Sequence, residues 1–224
     1  MPRFHHSGDL GDVIYSLPTV RALGGGHIQL GPKPGIGTRV PMTAQRFMAL
    51  KPLLEAQSYI TGVSYGTQPV DVDLDTFRLY RDWKTHGLNI AVAHLVANEL
   101  PQSRADMAWL TVPDKRQVAS VIINRTTRWQ NFRFDWNAVL AKHPAAVFIG
   151  QEPEFNSFGH PHLPHVFPDS LLEAARIIAG ADLFIGNQSP LYAIAEGLKM
   201  DTVLEFCPEM PNCMFHRPNA RYSV

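Results

Sequence analysis

Near its start the chain reads "HHSGDLGDVIYSLP", residues 5–18. Gly8 and Gly11 permit a tight turn between a short strand and a helical pattern. Asp9 and Asp12 stand on that turn and in the first helical residues. Carboxylates there can be ordinary helix caps. They can also present a general base, because a carboxylate at the end of a strand is able to take a proton from an acceptor hydroxyl. Asp12, one turn in, sits on the side that faces the strand ends. His5 and His6 end the strand itself, where they either reach an acceptor or form its rim. The spacing is neither the G-x-G-x-x-G of dinucleotide sites nor a Walker loop, since no G-K-[ST] follows.

The far end of the chain holds a second candidate. "LFIGNQSPLYAIAEGL" reads as strand, turn and helix. Ser189 or Asn187 can cap the helix, and Pro190 suits its first position. Such a helix start, with Asn187, Gln188 and Ser189 on the turn, either is a plain cap or receives a phosphate group. "INRTTRW" ends another strand and offers Arg125 and Arg128, whose guanidiniums suit a diphosphate or are simply solvated. "FIGQEPEF" places Glu152 at the end of the next strand, where a carboxylate accepts from ribose hydroxyls or is a surface acid. In doubly wound sheets ligands gather at the carboxyl ends of strands.

Other clusters carry weaker chemistry. "GHPHLPH" holds His160, His162 and His165, but no cysteine or paired carboxylate completes a metal site. No metal and no cofactor is expected. "RDWKTHG" and "TRWQNFRFDW" mix bases with aromatics, as single-stranded nucleic-acid platforms do and as core aromatics with arginine rims also do.

Composition bounds these readings. The chain has 224 residues, 45% of them hydrophobic, which supports a packed core. Lys plus Arg and Asp plus Glu number 20 each, so charge alone does not hold this protein to nucleic acid. Two cysteines, Cys207 and Cys213, make no disulfide framework. No apolar run reaches the ~18 residues of a membrane span. The expectation is a protein of the cytoplasm.

The elements that must position these residues alternate as strands and helices, the mark of an α/β fold. In the first half, strands are expected at "RFHHS", "HIQLG", "YITGVSY", "DVDLD" and "AWLTV". Helices are expected at "DVIYSLPTVRAL", "TAQRFMALKPLLEAQ" and "LNIAVAHLVANEL". Pro18 is expected to kink the first helix or start a second segment, and "GGG" at 24–26 to stop it. "VPDKRQ" has the composition of a linker. Beyond it come strands "VASVIINR", "AAVFIG", "HVFP", "DLFIGN" and a closing "TVLEF". Between them lie helices "DWNAVLAKH", "SLLEAARIIAGA" with a Ser170/Glu173 capping box, and "SPLYAIAEGLKM". The fold predicted is two small Rossmann-like domains, 1–115 and 116–224, facing a cleft.

Taken together, "SGDLGDVIYSLPTVRAL" and "DLFIGNQSPLYAIAEGLKMDTVLEF" resemble the N-terminal and donor motifs of glycosyltransferase family 9, the ADP-heptose heptosyltransferases. The resemblance lies in the two ends of the chain. It implies a GT-B fold with an acceptor domain at 1–115 and a nucleotide-sugar donor domain at 116–224. It also implies inverting, metal-independent transfer to an acceptor hydroxyl. By that resemblance Asp12 matches the proposed base, with Asp9 beside it. Asn187, Gln188 and Ser189 fall on the phosphate-holding turn, and Arg125 or Arg128 neutralises the leaving diphosphate. Asn187 stands where the family has Asp, and Pro190 where it has Gly. The implied acceptor is a saccharide, a lipid-linked sugar or a modified nucleobase on DNA. The alternative expectation is a nucleotide or nucleotide-sugar binding module without catalysis. A nucleotide-sugar epimerase or hydrolase is a third.

Overall fold

The computed structural model describes residues 1–33, 41–80 and 82–223. Arg81, the first residue of the basic–aromatic stretch "RDWKTHG", lies outside the described residues. The chain divides into two compact units, Met1–Thr111 and Val112–Val224.

In the first unit, β1 (Arg3–His6) lies between β2 (Gly26–Leu30) and β4 (Val72–Asp73), and β2 is flanked on its far side by β3 (Ile60–Tyr65). All pairs run parallel. Parallel strands need crossovers, and the apolar runs supply them: α1 (Leu10–Ala22) joins β1 to β2, and α2 (Ala44–Glu55) joins β2 to β3. Phe4, Ile28 and Leu30 of the strands and Val13, Ile14, Leu17 and Val20 of α1 are all fully buried. Pro18 does not split α1, which runs through it as one helix with Pro18 buried. After β4 come a 3-10 turn (Leu74–Leu79), α3 (Trp83–His86), α4 (Ile90–Ala97) and a second 3-10 turn (Gln102–Asp106). The expected strand "DVDLD" is therefore mostly a turn, because the Asp73 carboxylate accepts the Asp75 N–H at 3.1 Å and starts the 3-10 coil.

The expected strand "AWLTV" is absent. Side chains take its peptide groups in place of a ladder. Arg21 donates to the Ala108 carbonyl, Tyr59 Oη to that of Trp109, and the Gln57 amide brackets Thr111, accepting its N–H and donating to its carbonyl.

The second unit holds a six-stranded parallel sheet in the order β10–β9–β8–β5–β6–β7. Its strands are β5 (Val121–Asn124), β6 (Val147–Ile149), β7 (His165–Val166), β8 (Leu183–Gly186), β9 (Asp201–Glu205) and β10 (Ala220–Ser223). "TVLEF" is not the closing strand, since β10 pairs beyond it. The crossovers are α5 (Trp136–Lys142), α6 (Glu152–Phe158), α7 (Leu171–Ala179) and α8 (Pro190–Gly197). Ile123, Phe134, Trp136, Phe148, Phe155, Phe158 and Ile185 pack into one core against this sheet. Ser170 caps α7 by accepting the Glu173 N–H at 3.2 Å, but the expected box is half made, because the Glu173 carboxylate pairs with Arg116. The full capping box belongs to α6, where Gln151 and Glu154 exchange hydrogen bonds.

Candidate active site

In the first unit the chemistry gathers where β1 ends. His5 and His6 are 5% and 0% exposed, so they are buried beneath the turn and do not form its rim. Gly8 has φ 113°, a region that favours glycine, and its N–H donates to His6 Nδ1 at 3.0 Å. Gly11 is an ordinary helical residue within α1. Asp9 occupies the N-cap position of α1 without making a side-chain cap; its carboxylate instead faces Arg46 at 3.8 Å. Asp12, in the first turn, lies 3.7 Å from Arg78 Nη1.

The sequence reading missed Asp75 and Arg78. A 3-10 coil has three residues per turn, so positions 75 and 78 eclipse on one face. The pair meets at 3.2 Å, Arg78 Nε to Asp75 Oδ1. Asp75, 3% exposed, also accepts from the Ser7 N–H at 3.1 Å and the Ser7 hydroxyl at 2.8 Å. His5 Nδ1 and His6 Nδ1 approach its carboxylate at 3.6 and 3.7 Å. Burial acts to raise the Asp75 pKa, but the contacts from His5 and Ser7 and the nearby Arg78 charge outweigh it and hold the carboxyl well below the usual range. The Arg78 guanidinium also donates to the Gly8 carbonyl and lies over the Phe77 ring at 4.9 Å. Phe77 stacks on His94 at 3.9 Å. Burial pushes His6 down to about 4 and holds His94 well below its ordinary value, so both rings are neutral at pH 7. The visible signal for this cluster was an Asp-x-x-Arg spacing that starts at Asp75, the last residue of the stretch "DVDLD" that reads as strand.

His5, Asp73 and Asp75 are the one group among the described residues with three ligand atoms within 4.8 Å of one another. Both carboxylates already have cationic partners, Lys33 on Asp73 and Arg78 on Asp75.

In the second unit β8, β5 and β6 are parallel neighbours, so the segments that follow them leave one edge of the sheet. Arg125, after β5, binds Glu205 through Nε and Nη2, each at 2.9 Å. Glu205 is fully buried and also accepts from the Asn131 N–H at 2.8 Å and Trp136 Nε1 at 3.0 Å. Arg128 is exposed. Asn187, fully buried, accepts the Thr126 N–H and donates to the carbonyls of Thr126 and Arg128. Gln188 donates to Asn212 at 2.9 Å. Ser189, not Asn187, caps α8 by accepting the Tyr192 N–H at 3.1 Å. Glu152 opens α6 and is exposed. No helix among the described residues is long and apolar enough to cross a membrane.

Two parallel α/β sheets with loops gathered at strand ends are the class of fold these units define. The fold recurs in solved sugar transferases. Heptosyltransferase WaaC of E. coli, solved with ADP-2-deoxy-2-fluoro heptose, matches at TM-score 0.58 and 12% identity, over 99% of this chain and 92% of that one. The glycosyl transferase family 9 protein of Veillonella parvula matches at 0.65 and 12%, over 99% and 85%. The dodecameric iron-containing heptosyltransferase TibC of enterotoxigenic E. coli was solved with ADP-D-beta-D-heptose. It matches at 0.64 and 16%, over 100% and 62%. No family model and no curated protein sequence matches the chain.

Proposed function

We propose that this chain is a glycosyltransferase of the GT-B type, moving a sugar from a nucleotide-sugar to an acceptor hydroxyl with inversion and without a metal. The observation that carries the reading is a fold shared along nearly the whole chain with heptosyltransferases and a family 9 glycosyltransferase. Those neighbours solved with an ADP-heptose or its fluoro analogue make an ADP-sugar the first donor to try.

In this reading the first unit takes the acceptor and the second the donor. Asp12 removes the hydroxyl proton as the acceptor oxygen attacks the anomeric carbon. The bond from that carbon to the diphosphate oxygen breaks with its electron pair leaving on the diphosphate. A positioned base of this kind is worth roughly 10²–10⁴-fold in rate. Arg128 and the start of α8 at Ser189 stabilise the departing charge as preorganised positive ends. Arg125, tied to Glu205, shapes that edge, and Gln188 and Glu152 stand at its margin as donor contacts. Asn187 holds the Thr126–Arg128 segment that carries the exposed arginine.

The test is turnover of ADP-, GDP- and UDP-sugars by mass spectrometry with saccharide and nucleobase acceptors, with the product anomer read by NMR. Folded Asp12→Asn is expected to lose at least a hundredfold in kcat. Full transfer by that variant overturns the assignment, and retention of the donor's anomeric configuration overturns the mechanism.

A further inference from the structure

We propose that Arg78 is the positioning residue for the Asp12 carboxylate: anchored on buried Asp75, it orients the Asp12 side chain beside the Gly8 turn and favours its ionised form. The inference rests on the reading of Asp12 as the base.

Three contacts carry it. Arg78 Nε is fixed by Asp75 at 3.2 Å, and its Nη2 by the Gly8 carbonyl, so the guanidinium plane is set from two directions. Nη1, enclosed and without a hydrogen-bond partner, is left 3.7 Å from Asp12 Oδ2. That separation is a charge contact and not a hydrogen bond. With the Asp75 and Asp12 side chains 0% and 14% exposed, and Arg78 10%, water screens the contact poorly.

The anchor matters because the guanidinium would otherwise be free to collapse onto one acid. Asp75 is itself fixed by both Ser7 hydrogen bonds, which ties Arg78 to the strand end that launches α1. The same fork therefore links the Gly8 turn, which sets the start of α1, to the carboxylate one turn along it.

The other charged and titratable groups around Asp12 come from each packed element. Among the described residues they include His5 and His6 of β1, Asp73 of β4, Asp75 of the 3-10 turn, His94 of α4, Asp9 at the N-cap of α1 and Arg46 of α2, which faces Asp9. Arg104 and Asp106 of the second 3-10 turn are exposed.

The experiment follows the Asp12 carboxyl by carbon-13 NMR, assigned with Asp12→Asn, in the wild type, Arg78→Gln and Arg78→Lys. In Arg78→Gln the midpoint is expected to rise by about one pH unit or more, since an arginine at this range commonly shifts a carboxylate by about 1–3 units. The acid limb of kcat/KM moves by the same amount. Arg78→Lys keeps the charge but loses the fork, so the midpoint stays low while kcat falls about tenfold. An unmoved midpoint in folded Arg78→Gln overturns the proposal, as does wild-type kcat in folded Arg78→Lys should the glutamine variant not fold. A chain that turns over no sugar-nucleotide, yet shows the NMR shift, refutes the transferase reading and leaves the Arg78 contact standing.

Discussion

Both ends of the Asn187 amide grip the segment that follows β5: Oδ1 accepts the Thr126 N–H at 2.9 Å and Nδ2 donates to the Thr126 carbonyl at 3.0 Å. Nδ2 also donates to the carbonyl of Arg128. A carboxylate in that place keeps the first bond and loses the other two. Two carbonyl oxygens would then face an anion inside a fully buried pocket. The asparagine at this turn thus has a structural reason.

Asn187→Asp is therefore expected to lower the stability of the second unit by about 3 kcal/mol at pH 7, the scale of leaving buried polar groups unsatisfied beside a charge. Urea unfolding checks it. Asn187→Asp with wild-type stability would mean that the carbonyls of Thr126 and Arg128 are held by something else.

From the sequence Arg125 was, with Arg128, a candidate diphosphate ligand or a solvated arginine, and its place makes a different prediction. Glu205 is fully buried and depends on Arg125 for its counter-charge. Arg125→Met leaves that carboxylate uncompensated, which costs about 3–5 kcal/mol. Adding Glu205→Gln to the same chain restores much of the loss. A double variant as unstable as the single one would locate the damage in the lost packing against Trp136 instead, where Arg125 lies 5.8 Å from the ring.

The glycines that end α1 separate strain from clash. Gly24 and Gly25 have φ 89° and 75°. A Cβ on Gly24 meets nothing within 4 Å, whereas one on Gly25 would stand 2.0 Å from the Tyr59 carbonyl oxygen. Gly25→Ala is expected to cost about 2 kcal/mol or more, and Gly24→Ala only about 1 kcal/mol of backbone strain. Thermal unfolding of the two single variants ranks them, and equal losses would contradict the close approach.

Much of the scaffold was legible because it rests on local signals. Apolar runs marked β1, β2, β3, β5, β6, β8 and β9, and caps and glycines marked the ends of α1, α7 and α8. What failed were segments whose backbone partners are distant or are side chains. The "AWLTV" run looks like a strand, yet Arg21, Tyr59 and Gln57 satisfy it. β10 is short, and only pairing with β9 reveals it. α6 starts on Gln151 as its cap, which a search for Ser, Thr, Asp or Asn passes over. At the candidate site Asp12 was visible from its motif, but Asp75 and Arg78 were not. Their pairing depends on a 3-10 period that a strand reading hides.

The buried histidines make stability fall on the acid side, and the sign follows from their direction. His6 binds its proton at about 4 in the fold against 6.5 when free of burial, so between those values the unfolded chain holds the extra proton. Stability is therefore greatest above pH 6.5 and declines as pH drops toward 4, by about 3 kcal/mol for His6 alone. His94, shifted the same way by burial, steepens the decline. Asp75 acts in a lower window: its depressed pKa stabilises the fold above the ordinary value of 3.8, and that stabilisation is lost only as pH falls further. His6→Asn isolates the first term, because an asparagine Oδ1 can still accept the Gly8 N–H that His6 Nδ1 now takes. Urea unfolding from pH 7.5 to 4.5 is expected to show a shallower decline in that variant than in the wild type. A slope unchanged by His6→Asn would mean that His6 is already protonated in the folded chain, and that Asp75 pairs with an imidazolium there.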